Sequence, residues 1–460
     1  MLQDDFLTTP IESLDSLAAY LAKGEKPQAD WQIGVEHEKI PFYRQTRESV
    51  PYGGEKGIAA LLQQLQHKMH LSPLYDGKHV IGLQGSSTQG AISLEPGGQV
   101  ELSGAPLVNL HKVKEELQQY FTTLAPIIDN LGMKFLALGA SPLWENAQIH
   151  IMPKERYNIM RHYMPKVGKN GLDMMLRTAT VQVNLDFADE EDMRRKMAVA
   201  MKLQPVATAL FANSPFSGGK PNGYLSWRSH VWQHTDKQRT GILPFVFDKN
   251  FGYAQYADWA LDCPMYFIRR NKKYYDFTGV KFRDFLLGTP NAAGQRFTPI
   301  GQDFADHLTT LFPEVRLKQY LEMRGADAGP LPLLLALPAF WTGLLYDKEA
   351  LNAAESLTKD FTFADVNKMY QYVPQRGLRA PFQQGCVLDI ARQVLPIAQK
   401  GLVARAQFNK NRQDESIFLE PLLEISKTGL TAAEKLLQSY HTSWNKDIYA
   451  VFEQCTYEDL

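Results

Sequence analysis

The sequence predicts an α+β fold in which a curved antiparallel β-sheet with a polar, concave face is accompanied by amphipathic helices. Three observations predict it. Four segments alternate polar and apolar residues with the two-residue period of a strand, several longer stretches carry apolar residues at helical spacing, and from about residue 300 the pattern is largely helical. Length alone gives a prior of about three domains, although one large domain over 1–460 is also allowed.

Residues 11–23 and 55–70 predict helices. Between them, in Ile33-Gly34-Val35-Glu36-His37-Glu38, two carboxylates share one strand face opposite Ile33, Val35 and His37. Ile92 to Leu102 predicts two strands joined by Pro96-Gly97-Gly98, with Glu95 and Glu101 on their polar sides. A helix over 107–131 follows from Leu107, Leu110, Val113, Leu117 and Phe121. From Thr178 to Phe187 every even position is polar and every odd one apolar, which places Thr180, Gln182 and Asn184 on one face. Asp189, followed by Glu190, Glu191 and Asp192, starts a helix that runs to about Ala212. Glu322 and Arg324 share one side of the fourth alternating segment. Helices are expected over 304–312, 349–358, 363–370, 386–401 and 432–440.

Composition narrows the function classes. Lys plus Arg number 49 against 50 Asp plus Glu, so the chain has no net field to hold nucleic acid or an acidic membrane surface. A hydrophobic content of 44% with 22% charged residues is that of a folded globular protein. Cys263, Cys386 and Cys455 lie far apart with no CxxC, which argues against a disulfide scaffold or a zinc site. The acidic start, Met1 to Asp5, lacks the features of a signal peptide, and the most apolar stretch, Leu331 to Trp341, is short and carries two prolines. A soluble protein of a reducing cytoplasm is expected.

The polar strand faces carry the chemistry. They collect Glu36, Glu38, Glu95, Glu101 and Glu322 with almost no lysine, unlike a merely solvated sheet face. Carboxylates converging on one surface raise one another's pKa and destabilise the fold unless cations neutralise them. Oxygen ligands of this kind suit Mg²⁺ or Mn²⁺, ions that accompany nucleotide phosphates. The residues therefore predict a metal and nucleotide site on the sheet. A second set, Arg156 to Lys166 with Arg177, Arg228 and Arg239, offers guanidinium groups suited to a carboxylate or a transferring phosphoryl group. The segments 53–57 and 218–223 are glycine-rich turns that match no P-loop, and no GxGxxG follows a strand.

These blocks resemble the plant and proteobacterial type of glutamate–cysteine ligase. The resemblance rests on Ile33 to Lys39, Ser93 to Pro106, Met164 to Gly168, Leu172 to Phe187, Arg228-Ser229-His230, Arg239 to Phe245, Tyr320 to Asp327 and Ala432 to Lys435. It implies a single catalytic domain with a curved antiparallel sheet surrounded by helices, related in fold to glutamine synthetase. It also implies ATP-dependent joining of the L-glutamate γ-carboxylate to the L-cysteine amine through γ-glutamyl phosphate. By the same resemblance, Glu36, Glu38, Glu95, Glu101 and Glu322 are expected metal ligands. Gln182 stands where related ligases have a metal-binding histidine. Arg324 is expected at the transferring phosphoryl group, Thr180 and Arg228 at glutamate, and Asn184 among the substrate-binding residues. Arg161, Tyr163 and Lys166 are expected at the cysteine or phosphate end, and Arg239 at the nucleotide.

Mg²⁺ or Mn²⁺ is the implied metal and ATP the co-substrate, with no nucleic-acid or membrane partner and a monomer or weak homodimer as the expected form. Two departures from plant members stand out. No chloroplast transit peptide is recognised, so a bacterial cytoplasm or a mature form is the expected setting. Phe277 stands where one cysteine of a switching disulfide is expected, and 288–294 contains none. Two alternatives stay open: a ligase of the same superfamily that takes another amine, and a non-catalytic metal or carbohydrate module.

Overall fold

Eleven residues, Ile33–Tyr43, form the central strand β1 of the computed structural model, which describes residues 5–86 and 89–457. Met1 to Asp4 of the acidic start lie outside the described residues. Seven further strands extend the sheet on either side of β1: β2 (Ser72–Asp76), β3 (His79–Gln84), β4 (Ala91–Leu94), β5 (Val100–Ser103), β7 (Thr180–Leu185), β8 (Val315–Leu317) and β9 (Leu321–Asp327). Their order is β8-β9-β7-β1-β5-β4-β3-β2, and β6 (Met133–Leu136) pairs with the far end of β1 over Ile40–Tyr43. Every pairing in this sheet is antiparallel, as expected from strands with one polar face.

The turn at Pro96-Gly97-Gly98 joins β4 to β5 by bonds from the Glu95 N–H to the Gln99 carbonyl (2.9 Å) and from the Gly98 N–H to the Glu95 carbonyl (2.9 Å). Gly98 has φ +86°, which a side chain would strain.

The helices cover the sheet with their apolar faces. Of the long helices, Glu190–Leu210 and Leu331–Leu345 are the best buried, and most of the buried apolar residues form one contiguous core from Leu17 to Tyr457. The Asp189 side chain accepts from the Asp192 N–H at 2.8 Å, so the acidic run is the helix start its residues predict. Leu107 lies outside its helix and bridges Ile33 instead. The helix expected over 304–312 spans Gly301–Leu308, because the Thr309 and Thr310 hydroxyls turn back to the Asp306 and His307 carbonyls and close it early. The apolar run 331–341 belongs to a 15-residue helix buried on all sides from Leu333 onward. Among the described residues no helix is long and apolar enough to cross a membrane.

Candidate active site

Antiparallel register puts directly opposed residues on the same face of a sheet. Glu38 opposes Glu101, which opposes Ser93; Glu36 opposes Gln182; Asn184 opposes Glu322, which opposes Arg316. Six strands thereby collect their polar side chains on one side, while Ile33, Val35, Val181 and Val183 are buried on the other. A cavity of about 240 Å³ lies on the polar side. Glu36, Glu38, Glu95, Glu101, Gln182, Thr180, Arg228 and Arg324 line it, so most of the expected residues meet in one place.

A β-bulge sets the geometry at one end. Register shifts between Met323 and Ala326 of β9, which carry one more residue than the facing stretch of β7. Gly325 occupies the bulge, where a Cβ would lie 2.3 Å from Glu314 Oε2 and 2.5 Å from Gln204 Nε2. The bulge carbonyls are put to use: Arg228 Nη2 donates to Arg324 O (2.9 Å), and the Thr180 hydroxyl donates to Ala326 O (2.8 Å). Arg324 Nη1 donates to Gln182 Oε1 at 2.6 Å and pairs with Glu322.

Glu322 is fully buried among cations. Arg316 grips it with Nε (3.0 Å) and Nη2 (2.7 and 2.8 Å), and Lys318 stands 3.3 Å away. Burial alone pushes a carboxyl up, but Arg316, Lys318 and Arg324 together hold Glu322 well below the usual carboxylate range.

The other carboxyls move the opposite way. Burial, then the charges of Glu322 and Glu101, raise Glu36 to about 7. Burial, then Glu95 and Glu101, push Glu38 well above its ordinary value, against the pull of Arg228 and the Thr180 N–H that donates to it at 3.0 Å. Glu101 rises through burial and Glu95, although the Ser103 hydroxyl donates to it at 2.6 Å. This is a negative site that its own cations leave incompletely neutralised. An all-oxygen donor set of this charge fits a hard divalent cation. Among the described residues no three His, Cys, Asp or Glu side chains form a ready cage. Mg²⁺ does not require one, since it keeps waters and shares its sphere with phosphate oxygens.

Several expected residues lie elsewhere. Asn184 stands behind the row and donates to Glu36 Oε1 at 2.7 Å. Arg161 and Lys166 are exposed on the helix Glu155–Val167 and do not reach the cavity, and Tyr163 packs its ring on Tyr266. On that helix the cavity instead receives Arg156, Tyr157 and Met160, which share a face by helical spacing. Arg239 is buried away from the cavity, paired to Asp236 at 2.7 Å, donating to Thr310 O and lying 3.9 Å from the Tyr266 ring. Its role here is to tie segments together.

The sequence reading missed Arg316, Trp232, Phe267 and Phe312, which also line the cavity. Arg316 had one available signal: Val315-Arg316-Leu317 alternates just ahead of the Glu322 strand. Lys154 is buried below the site with Nζ on Leu94 O (2.6 Å), and burial, then Arg156, lower it to about 7.

Cys263, Cys386 and Cys455 are all free. Phe277 is buried against Phe285 and Phe297, with ring centroids at 5.0 and 6.0 Å.

Comparison with known proteins places this site in context. Residues 32–454 match the model of Glutamate-cysteine ligase family 2 (GCS2). The chain is 50% identical over 452 residues to the chloroplastic glutamate–cysteine ligase of Arabidopsis thaliana, covering 98% of this chain and 84% of that protein. It is 48% identical over 453 residues to chloroplastic glutamate–cysteine ligase A of Oryza sativa subsp. indica, covering 98% and 89%. The crystal structure of a Francisella tularensis glutamate–cysteine ligase in complex with AMP superposes with a TM-score of 0.53 at 13% identity, over 94% of this chain and 89% of that one, a likeness of fold. The relatives correct one expectation: at 48–50% identity they are chloroplastic enzymes, so the cytoplasmic assignment does not stand. The match of family model, full-length relatives and sheet shows that the chain belongs to glutamate-cysteine ligase family 2.

Proposed function

We propose that this protein joins the γ-carboxylate of L-glutamate to the amine of L-cysteine with ATP, giving γ-glutamylcysteine, ADP and phosphate. The observation that carries the proposal is the cavity itself, where raised carboxyls at Glu36, Glu38 and Glu101 face the guanidinium groups of Arg228, Arg316 and Arg324. A carboxylate is a poor acyl donor. Its oxygen first attacks the γ-phosphorus of ATP, and the bond to ADP breaks. The cysteine nitrogen then attacks the acyl carbon of γ-glutamyl phosphate, loses a proton and releases phosphate.

Both steps place negative charge on phosphoryl oxygens, so positioned positive groups dominate catalysis. Arg324, held by Gln182 and Glu322, presents its fork to the phosphoryl group. Arg228 and Thr180 hold glutamate, with Arg228 at the α-carboxylate. Glu36, Glu38, Glu95 and Glu101, with Gln182 at the Arg324 end of the row, would hold Mg²⁺ or Mn²⁺, whereas Glu322, expected as a ligand, is buried outside the cavity wall with both oxygens engaged by Arg316 and Arg324. Such an ion supplies charge neutralisation at the phosphoryl oxygens. Arg156 and Tyr157 face the part of the cavity left for the acceptor amine.

Steady-state ADP release, measured with glutamate in the presence and absence of cysteine, tests the reading, with the product identified by mass. Cysteine-dependent ADP release and γ-glutamylcysteine are expected. Glutamate-independent turnover, or a different amine preferred over cysteine, refutes it. The expected monomer or weak homodimer is checked by sedimentation of the same sample.

A further inference from the structure

Asp327 ends β9 five residues after Glu322, opposite Thr180 in the sheet, and contributes nothing to the cavity wall. Its carboxylate is 1% exposed and fully engaged. Oδ2 accepts from the Asn213 N–H (2.8 Å) and the Ser214 hydroxyl (2.7 Å), and Oδ1 accepts from the Ser226 hydroxyl (2.8 Å). Gly139 packs against it so closely that a Cβ there would lie 2.5 Å from the Asp327 Cβ and Cγ. The carboxylate therefore has one available position.

Both serines pass that position on. Ser214 Oγ accepts the Arg228 N–H (3.1 Å), and Ser226 Oγ accepts the Ser229 N–H (3.2 Å) as the cap of the helix Trp227–Gln233. The first turn of that helix carries Arg228, whose guanidinium returns to the Arg324 carbonyl of β9. The chain of contacts thus leaves β9 at Asp327 and re-enters it at Arg324. Charge-assisted bonds to a gripped carboxylate resist displacement better than neutral ones, and small misplacements of a substrate clamp are costly.

We propose that Asp327 is a positioning residue for glutamate: through Ser214 and Ser226 it fixes the helix start that aims Arg228 into the cavity. The proposal rests on the reading of Arg228 as the clamp for the glutamate α-carboxylate. A carboxylate that served only to stabilise the fold would lower the melting temperature without changing one substrate's KM relative to the others.

The test compares KM for glutamate, cysteine and ATP in wild type, Asp327→Asn, Ser214→Ala, Ser226→Ala and Ser226→Thr. In Asp327→Asn we expect KM for glutamate to rise about tenfold, the scale of one lost bond to a charged group, with KM for ATP within about twofold of wild type. Ser214→Ala and Ser226→Ala shift the same constant in the same direction by less, and Ser226→Thr, which keeps the hydroxyl, returns it toward wild type. The proposal falls if folded Asp327→Asn keeps its KM for glutamate within about twofold, or if all three constants rise together. Should Asp327→Asn not fold, the two serine-to-alanine variants decide by the same criteria. A wild-type protein without glutamate-dependent ADP release would instead overturn the ligase reading, and this proposal with it.

Discussion

Removing Arg316 should leave Glu322 buried with too little positive charge. Arg316→Met keeps the volume of the side chain but deletes three hydrogen bonds of 2.7 to 3.0 Å to a fully buried carboxylate. Breaking a buried pair by removing one partner costs about 3–5 kcal/mol. Lys318 and Arg324 remain beside Glu322, so the low end, about 3 kcal/mol, applies. An unfolding entropy of about 2.1 cal/mol/K per residue turns that into a drop of about 3 °C in melting temperature for a chain of this length. Replacing Glu322 by Gln in the same protein removes the stranded charge and should restore part of the loss, so the double variant melts above Arg316→Met.

The sign with pH is also fixed. A carboxyl held below its unfolded value contributes stability above the unfolded pKa, roughly 4.3, and loses it as pH falls below. The gap between wild type and Arg316→Met should therefore narrow below about pH 4. Differential scanning calorimetry across pH 3–8 measures all of this. An Arg316→Met protein melting within 1 °C of wild type at neutral pH, or a double variant melting below the single one, would refute the reasoning.

Glu95→Gln and Glu101→Gln should abolish ADP release in a folded protein, and Glu101→Gln should not lower the melting temperature, because burial and Glu95 already oppose its charge; Mg²⁺ titration of activity together with thermal melts checks both. Arg324→Lys should lose nearly as much kcat as Arg324→Ala, on the order of 10³-fold, since an ammonium cannot reproduce the planar fork that meets Gln182 and Glu322; a near-normal kcat in the lysine variant removes Arg324 from the phosphoryl group. Incubation with dithiothreitol or with oxidised glutathione should give equal activity and equal elution on a sizing column. Burial pushes the Cys263 and Cys455 thiols up to about 12, which leaves them without reactive thiolate, and Phe277 fills its site with aromatic packing.

The strands that build the site were legible because one face had to be polar and the other buried. Glu36 and Glu38, Glu95 and Glu101, and Thr180, Gln182 and Asn184 each declared a face through a period of two. The bulge at Gly325 was not legible, since its cause is the closeness of Glu314 and Gln204, residues distant in sequence. The helix Leu331–Leu345 gave no amphipathic signal because it is buried on all sides, and its prolines hid its length. Arg161, Tyr163 and Lys166 were expected from the resemblance alone, whereas helical phase puts Arg156, Tyr157 and Met160 on the side facing the cavity. Arg239, in a block shared with the family, owes its place to its burial with Asp236.

The strand order has a consequence for synthesis. Asn184 and Glu36 bond side by side although 148 residues separate them, and Arg324 reaches Gln182 from 142 residues further on. During translation at about 5–20 residues per second, β1 waits on the order of ten seconds for β7. Until then its hydrogen-bonding edge is open to neighbouring chains, the kind of edge that seeds misassembly. The cavity of a partly made chain also stays incomplete, because Arg324 joins its wall only when β9 arrives. Ligands can therefore help to stabilise this protein only after most of it has left the ribosome, and any chaperone requirement should fall on the span between β5 and β7.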